Sequence, residues 1–469
     1  MSATPRSPLR RMLTTPLALA ALGVATYVDN LVPRRDVDGL ILDSHDFSLH
    51  KYPGREGYFM FSVAYGGCRE PANMGCDQTA DKCGFQLNHT VNVWASPDLS
   101  SGSWVKVAEA ISPDMRPAGT VYRPKAVWNP NTKQVVAWHN YVHPNGDYAG
   151  YAAYTAPAIE GPYTLQREVV NVTVQNATEQ CGDYDLFVDP ADGTGYAIMG
   201  CGFHMWIERL APNLLDSAGD ASPTGRFLFA EYFVEAPALF VRNGIYYAVF
   251  DSCCCYCFQG SGAVVHTAPH PLGPWTRQGE VACVPATASA AANTAAASAG
   301  RAQTSRTQTL LDAAGIGAEP TPGQGCQYVD PKTTSAMRAQ QSAIFSVDLE
   351  DGSTAFVWAG DRWQQSWDGT KGHDPQVRCG GGAPSVTAAP RAVGRECHRH
   401  SPVPLTASRS SAANLPSAHI ATYVCMCAPS ALPLAQRTFP LQVWAPLSFN
   451  ADGSINQLRW IDNFTLPIV

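Results

Sequence analysis

Five hairpin signals, each a turn followed by an aromatic or apolar strand, constrain the fold of this chain more than any other feature. Three of the turns are Asp-Gly or Asn-Gly pairs, which favour tight hairpins. The five turns are centred on Gly57, Lys133, Gly193, Gly244 and Gly352. A second series of Ser-Pro or Ala-Pro pairs keeps a period of about 50–60 residues but lies out of phase with the first. Its members begin at Ser96, Ala156, Ala211 and Ala268.

Two series with one period predict a repeated β-sheet unit. The fold class that we expect is therefore all-β, a five-bladed β-propeller, with an insertion that explains the longer gap before the fifth hairpin. An irregular β-sandwich with coincidental turns is the alternative. Coiled coils and long helical arrays are disfavoured, because 39 Gly and 36 Pro in 469 residues interrupt helices too often.

The first residues have the pattern of a secretory signal. Arg6, Arg10 and Arg11 precede a short apolar run at 17–25, so residues 1–25 are predicted to be a signal peptide cleaved after Ala25. An uncleaved membrane anchor is the alternative. The chain also has 15 cysteines and Asn-x-Ser/Thr sequons at Asn88, Asn171, Asn176 and Asn463. Together these features predict a secreted, glycosylated protein with disulfide bonds.

The predicted propeller domain spans residues 36–469 and contains two segments without strand alternation. Residues 285–325 are rich in Ala, Thr, Ser and Gly and are interpreted as a low-complexity loop. Residues 377–440 combine a Gly run with Pro, Ser and Ala and scattered Cys. We interpret them as an irregular insert or a retained intron, and a continuous transcript across them would exclude the intron.

The charge balance excludes one class of partner. The net charge is −7 and only 15% of the residues are charged, so there is no basic surplus to neutralise the phosphates of a nucleic acid. With 45% hydrophobic residues, the chain is able to bury a substantial core.

Five residues are expected to meet at one mouth of the central channel. In a propeller, equivalent positions on the innermost strands of successive blades converge there. About ten residues before each of the five turns stand Asp46, Tyr122, Asp183, Glu235 and Gln341. Three carboxylates from three blades would then share a pocket and shift one another's pKa, as acid–base glycoside hydrolysis requires.

Each Asp near a strand start has a simpler interpretation as the cap of a turn. Glu235 is harder to explain in that way. It lies in the apolar run Phe-Val-Glu-Ala-Pro-Ala-Leu-Phe at 233–240, where an unpaired buried carboxylate costs several kcal/mol.

At these residues the chain resembles glycoside hydrolase family 43, whose members are five-bladed propellers. His-Asp-Phe-Ser-Leu at 45–49 is similar to the segment that carries the family's general base. Asp-Tyr-Asp-Leu-Phe-Val-Asp at 183–189 is similar to the segment whose first Asp tunes the acid, and Glu-Ala-Pro at 235–237 to the segment with the general acid. The resemblance covers roughly residues 38–284, 336–372 and 441–466.

Within the family, the chain is most similar to the galactan 1,3-β-galactosidase branch. Arg-Pro-Lys at 123–125, Gln-Ser at 341–342, Gly-Asp-Arg-Trp at 360–363 and Val-Trp-Ala-Pro-Leu at 443–447 all resemble that branch. Two positions depart from it. Tyr122 replaces a Glu that should contact the sugar, and Asp46 stands where the branch lacks an Asp.

The resemblance implies an inverting hydrolase with Glu235 as the acid, Asp46 as the base and Asp183 as the residue that orients and tunes the acid. If Asp46 pointed away from the channel, Gln341 would position the water instead. The predicted substrate-binding residues are His45, Tyr122, Arg123, Trp138, Gln341, Arg362 and Trp363. Trp128 and Phe203 are further candidates for stacking on a sugar.

The expected substrate is a galactan- or arabinan-type polysaccharide or oligosaccharide, with no cofactor and no metal, and the expected state is a monomer. No membrane partner is expected unless the N-terminal segment is uncleaved. The Cys-rich run at 253–257 and the cysteines at 68, 76 and 83 are interpreted as disulfide partners rather than as metal ligands, because adjacent cysteines project in different directions. Two alternative functions are a propeller that binds carbohydrate without hydrolysing it and a transglycosylase of a related clan.

Overall fold

The computed structural model describes residues 24–64, 87–174, 180–202, 204–219, 225–232, 234–251, 261–282, 337, 339–362 and 441–468. The predicted segments 285–325 and 377–440 lie outside these residues. In the described part, helix is confined to one 3-10 turn at Pro113–Met115, and the rest of the regular structure is β-strand.

Five of the antiparallel sheets are each built from strands that are neighbours in sequence order, and these five sheets are the blades. Blade one contains β2 (His45–His50), β3 (Tyr58–Ala64), β4 (Thr90–Ser96) and β5 (Val105–Ile111). Blade two contains β6 (Thr120–Asn129), β7 (Gln134–Val142), β8 (Ala149–Ala156) and β9 (Thr164–Arg167). Blade three contains β10 (Cys181–Val188), β11 (Gly195–Cys201), β12 (His204–Arg209) and β13 (Arg226–Tyr232).

Blade four contains β14 (Glu235–Arg242), β15 (Ile245–Asp251), β16 (Val264–Ala268) and β17 (Thr276–Glu280). Blade five contains β18 (Gln340–Asp348), β19 (Thr354–Arg362) and β20 (Leu441–Pro446). The first strands of the blades, β2, β6, β10, β14 and β18, lie side by side in a ring that closes between β18 and β2. The predicted five-bladed propeller is confirmed.

The local turn chemistry explains where each blade begins. All five predicted hairpin turns connect the first and second strands of a blade, and each contains a residue with positive φ, such as Gly193 at 76° and Gly352 at 78°. Even Lys133 adopts this conformation, with φ of 57°. The Ser-Pro and Ala-Pro pairs follow the third strands, which run antiparallel to the second strands, so both series mark the same end of the blades.

Aromatic side chains fill the space between neighbouring blades. Trp138 of blade two lies with its ring stacked on Tyr184 of blade three, at a centroid distance of 6.0 Å. Phe240 of blade four contacts Tyr247 at 4.8 Å and Phe356 of blade five at 4.9 Å. These contacts bury large apolar areas and fix the blades against one another.

The ends of the folded region meet at blade five. β1 (Val24–Asp29) pairs with β21 (Asn463–Ile468), and the Asn30 amide donates to the carbonyls of Trp444 at 2.7 Å and Ile461 at 2.8 Å. The folded region therefore begins by Val24, ahead of the predicted domain boundary at residue 36. The predicted cleavage after Ala25 falls inside this strand.

Among the described residues, no helix has the length and the apolar character that a membrane span requires.

Candidate active site

One β-bulge near the start of each innermost strand builds the candidate site. The strand registers shift between residues 45 and 48, 122 and 125, 181 and 184, 235 and 238, and 341 and 343. Asp46, Arg123 and Ala236 have positive φ values of 53°, 44° and 52° within these bulges. A bulge re-aims side chains and, for a residue with a Cβ, such a conformation costs roughly 1–3 kcal/mol. The same layer of the channel therefore carries the predicted site residues of all five blades.

Arg123 is the cation at the centre of this layer. Its side chain is only 2% exposed, its Nε lies 2.7 Å from Asp183 Oδ1, and its Nη1 lies 3.8 Å from Asp46 Oδ1. Nη1 also donates to the Gln341 carbonyl at 2.8 Å. The guanidinium thus joins carboxylates of blades one and three to the backbone of blade five. Arg123 therefore contacts carboxylates of the site, and its predicted contact with a substrate stays a prediction.

Asp46 lies within the carboxylate layer but has little exposed surface. Its side chain is 4% exposed, and its backbone N–H donates to Asp361 Oδ2 at 2.8 Å. Burial raises the pKa of Asp46, Arg123 opposes that rise, and Asp361 and Asp183 add to it, so that the pKa reaches about 6. The Asp46 side chain faces Arg123 within this layer, and its role as the base stays a prediction.

His45 lies behind Asp46 and is fully buried. Its Nδ1 is 3.6 Å from Asp361 Oδ1 and its Nε2 is 3.3 Å from Asp43 Oδ1. Burial alone would lower the pKa of His45, but the two carboxylates outweigh it and raise the pKa to about 9. The imidazolium therefore supports the Asp361 carboxylate that holds the backbone of Asp46, and the predicted contact of His45 with a substrate stays a prediction.

Asp183 and Glu235 lie on adjacent strands of blades three and four. Asp183 Oδ2 accepts from the backbone N–H of Ala236 at 3.0 Å, so Asp183 fixes the bulge directly after Glu235. The Glu235 side chain is partly exposed, and Gln340 Nε2 donates to its Oε2 at 3.0 Å. Arg123 links Asp183 to Asp46, and the N–H of Ala236 links Asp183 to the strand that carries Glu235. The structure thus brings the three carboxyl residues to one layer.

Gln341 has a structural role that the sequence did not indicate. It is fully buried, and its side-chain Nε2 donates to the carbonyls of Ala236 at 2.7 Å and Val249 at 2.8 Å. The amide group therefore joins blade five to blade four and does not face a substrate. The neighbouring Gln340, to which no role was assigned, is the glutamine that contacts Glu235.

Three aromatic residues that were predicted to contact a sugar lie in different surroundings. Trp138 is fully buried in the contact with Tyr184, and its Nε1 donates to the Leu214 carbonyl at 2.9 Å, so it packs between blades, and its predicted sugar contact stays a prediction. Trp128 lies at the far end of β6, where it lines a cavity of about 750 Å³ at the opposite mouth of the channel. Tyr122 is partly exposed in the bulge layer, and its substrate contact stays a prediction.

Most of the remaining predicted contacts involve residues outside the described part of the chain. Trp363 and Phe203 are outside the described residues, and so are the Cys run at 253–257 and the cysteines at 68, 76 and 83. Arg362 ends β19, and its predicted contact stays a prediction. A disulfide joins Cys181 to Cys201 across β10 and β11, directly beside the bulge that carries Asp183.

Three polar residues of the site were missed at the level of sequence. Asp361 and Asp251 are both fully buried, and Lys125 donates from Nζ to the carbonyls of Phe47 at 2.6 Å and Ser342 at 2.5 Å. Asp251 directly follows the apolar strand residues Tyr247–Phe250, so the reasoning that singled out Glu235 in an apolar run applied to it equally. Among the described residues, no group of three or more His, Cys, Asp and Glu side chains is arranged to hold a metal ion.

Comparisons with known proteins agree with this architecture. No protein-family model matches the chain. A curated β-D-galactofuranosidase of Aspergillus niger is 31% identical over 134 residues, which are 28% of this chain and 37% of that protein. The chain thus spans well under half the length of this curated relative.

Solved structures are similar over nearly the whole chain at low identity. An exo-β-1,3-galactanase of Clostridium thermocellum superposes with a TM-score of 0.52 at 17% identity, covering 93% of this chain and 66% of that one. A β-1,3-galactosidase of glycoside hydrolase family 43, solved with galactodeoxynojirimycin, gives a TM-score of 0.50 at 16% identity and covers 93% of this chain and 99% of that one. In fold, the chain therefore resembles the family that its motifs indicated.

Proposed function

We propose that this protein is a glycoside hydrolase of the family 43 type that acts on a β-galactan or a related galactose-containing glycan by inversion. The observation that carries the proposal is the bulge layer, which gathers Asp46, Asp183 and Glu235 from three blades around Arg123. Relatives named for galactan or galactofuranoside cleavage support the substrate class. Arabinan remains the other substrate class for the test.

Each carboxyl has a role that follows from its surroundings. Glu235 is partly exposed and, unlike Asp183, is held by the neutral amide of Gln340 and not by the Arg123 cation, so it protonates the leaving glycosidic oxygen. Asp183, paired with Arg123 and bonded to the N–H of Ala236, orients the strand that carries Glu235. Asp46 takes the proton of the attacking water on the opposite face of the sugar, with a carboxyl separation of about 6.5–9.5 Å expected for an inverting enzyme.

The pKa of Asp46 defines the acid limb of activity. A base must be ionised, and the pKa of Asp46 is about 6. Turnover is therefore expected to fall as the pH drops below about 6, and Asp46→Asn is expected to be inactive at every pH.

The decisive experiment compares leaving groups. Wild type, Glu235→Gln and Asp46→Asn are assayed on β-1,3-galactan and on aryl β-galactosides, β-galactofuranosides and α-arabinofuranosides, with product anomers followed by NMR. Glu109→Gln is the matched control, because Glu109 lies on an outer strand at 45% exposure. Loss of Glu235 is expected to abolish galactan cleavage but to spare dinitrophenyl glycosides, whose leaving group needs no proton.

Equal loss of activity on both kinds of substrate in Glu235→Gln would contradict the acid role. No turnover by wild type, with sugar binding unchanged in Glu235→Gln, would instead indicate a propeller that binds carbohydrate without cleaving it. Two observations favour that second candidate: Tyr122 replaces a carboxylate of the similar branch, and the Asp46 side chain is 4% exposed.

We also propose that the protein is secreted as a monomer. The Cys181–Cys201 disulfide and the exposed positions of Asn88, Asn171 and Asn463 support an oxidising, glycosylating route. Expression in a secreting host, followed by enzymatic deglycosylation, mass measurement and light scattering, tests the route and the oligomeric state.

A further inference from the structure

Asp251 is a buried carboxyl that the proposed mechanism does not yet use. It ends β15 and stands directly opposite Glu235 in the antiparallel register of β14 and β15. Directly paired residues on such strands share a face of the sheet, and their Cβ atoms lie roughly 4.5–5.5 Å apart. Two carboxyl groups therefore lie next to each other at the mouth of the channel.

The two carboxyls differ in exposure. Asp251 has no exposed surface, whereas Glu235 is partly exposed toward the mouth. An ionised carboxylate without solvent is costly unless a cation or several donors compensate it. Asp251 thus lies behind Glu235, on the side where water does not reach.

The one nearby guanidinium is engaged with other groups of the described chain. Arg123 directs Nε to Asp183 at 2.7 Å and Nη1 to the Gln341 carbonyl at 2.8 Å, with Asp46 at 3.8 Å. Burial raises the pKa of Asp251 well above its usual value. Arg123 and a hydrogen bond with the backbone of Gln341 oppose this rise, and the charges of Glu235 and Asp183 add to it. The carboxyl layer has more negative groups than Arg123 alone balances.

The other strands packed against β14 and β15 supply few charges. They are β10, β11, β16 and β18. β10 supplies Asp183 and Asp185, and β18 supplies the amides of Gln340 and Gln341 near the site. The other titratable side chains on these strands are Tyr184 on β10, Tyr196 on β11, His266 on β16 and Asp348 at the far end of β18. His266 is paired with Glu231 at 3.1 Å.

We propose that Glu235 and Asp251 share a single proton at neutral pH, which makes Asp251 a positioning residue that keeps the acid of the site protonated. The catalytic part of this proposal rests on the proposed function; the shared proton does not. Two carboxyls on directly paired residues cannot both ionise cheaply, so the pair titrates in two well-separated steps. The negative charge of Asp183, balanced by Arg123, is left to orient the acid.

The proton balance over one turnover is closed. Glu235 gives the shared proton to the departing glycosidic oxygen, and the C–O bond to the leaving group breaks. The attacking water forms the new C–O bond and gives its proton to Asp46. The Glu235–Asp251 pair is then doubly ionised, takes up one proton from solvent, and Asp46 releases one to solvent.

The test reads the titration directly, without any substrate. Protein labelled with ¹³C in the Glu and Asp carboxyl groups is titrated by NMR as wild type, Asp251→Asn and Glu235→Gln, which also assigns the two signals. The midpoint of Glu235 is expected to fall by at least about one pH unit in Asp251→Asn. By reciprocity, the midpoint of Asp251 should fall in Glu235→Gln, which keeps the test usable if one variant does not fold.

Asp185→Asn is the matched control. Asp185 is another carboxyl of the channel, partly exposed, and it accepts from the N–H of Leu239, four residues beyond Glu235 along β14. Its replacement is expected to leave the midpoint of Glu235 nearly unchanged. Midpoints that do not move in Asp251→Asn and Glu235→Gln would overturn the proposal.

Turnover separates this proposal from the proposed function. In an active enzyme, Asp251→Asn is expected to move the alkaline limb of galactan cleavage to lower pH by the same amount as the Glu235 midpoint, and to spare dinitrophenyl glycosides. Coupled midpoints in a protein that cleaves no glycoside would support the shared proton and refute the hydrolase. Cleavage with uncoupled midpoints would do the reverse.

Discussion

Arg123 offers the sharpest test of how the carboxylate layer is held together. Replacing it by Met keeps most of the side-chain length but leaves Asp183, now 2.7 Å from Arg123 Nε, and the 4%-exposed Asp46 without their cation. Removing one partner of a buried ion pair typically lowers the free energy of unfolding by about 3–5 kcal/mol, because the remaining charge stays desolvated. We expect the free energy of unfolding to fall by about that amount at about pH 8.

The expected loss depends on pH in a defined direction. Without Arg123 the pKa of Asp46, which is already raised to about 6, rises further above that of the unfolded chain, so the folded state binds its proton more tightly. The destabilisation is then largest above the raised pKa values and shrinks as the pH falls toward the unfolded value near 4. Urea unfolding followed by tryptophan fluorescence at about pH 8 and about pH 5 measures both limits.

Arg55→Met is the matched control for this measurement. Arg55 makes an ion pair with Glu160 at 2.9 Å, but the two side chains are 44% and 32% exposed. Exposed pairs contribute no more than about 1 kcal/mol, so this variant should be nearly neutral. The double variant Arg123→Met/Asp183→Asn should recover part of the loss, because it also removes an unpaired charge. Equal effects of Arg123→Met and Arg55→Met, or a loss independent of pH, would refute the reasoning.

Three further predictions test other parts of the structure. Because folding raises the pKa of Asp46 from 3.8 to about 6, Asp46→Asn should stabilise the protein by up to about 3 kcal/mol at about pH 8 and hardly at all near pH 4, in the same urea assay. Cys181→Ser should cost about 3 kcal/mol, since the disulfide closes a loop of sequence separation 20, and a reducing agent should match that loss in wild type only. Gly360→Ala should lower the melting temperature more than Gly352→Ala, because a Cβ at Gly360 would lie 2.4 Å from the Trp358 ring. Gly352 has open space, so Ala costs there only the strain of its φ of 78°, about 1–2 kcal/mol, and equal shifts would contradict the packing of blade five.

Much of the architecture was accessible from sequence because its causes are local. Turns such as Asn243-Gly244 and Asp351-Gly352 need residues that tolerate positive φ, and the apolar strands that follow them need only period-two alternation. Counting back from these turns also placed Asp46, Asp183 and Glu235 in one layer, since each blade repeats the same strand length. What the count could not supply was the direction of each side chain.

The sequence interpretation did not anticipate how deeply several predicted site residues are buried. Trp138, Arg123, His45 and Gln341 were expected to contact substrate, yet each is almost or completely buried. A bulge at the same height in all five innermost strands turns some residues toward the mouth and others into the ring. That choice depends on contacts between blades, which no single strand encodes.

By itself, the sequence determined the number of blades, the position of every first hairpin and the three carboxylates that precede those hairpins, because these follow from turn chemistry and a constant period. Only the tertiary structure decided which of those groups meet. Arg123 reaches Asp46 and Asp183 across blades, and Asp251 stands opposite Glu235 by strand register. The pairing of Val24–Asp29 with Asn463–Ile468 likewise joins opposite ends of the folded region. Closing a ring brings distant residues together at fixed distances, and the physical chemistry of the site arises from those distances.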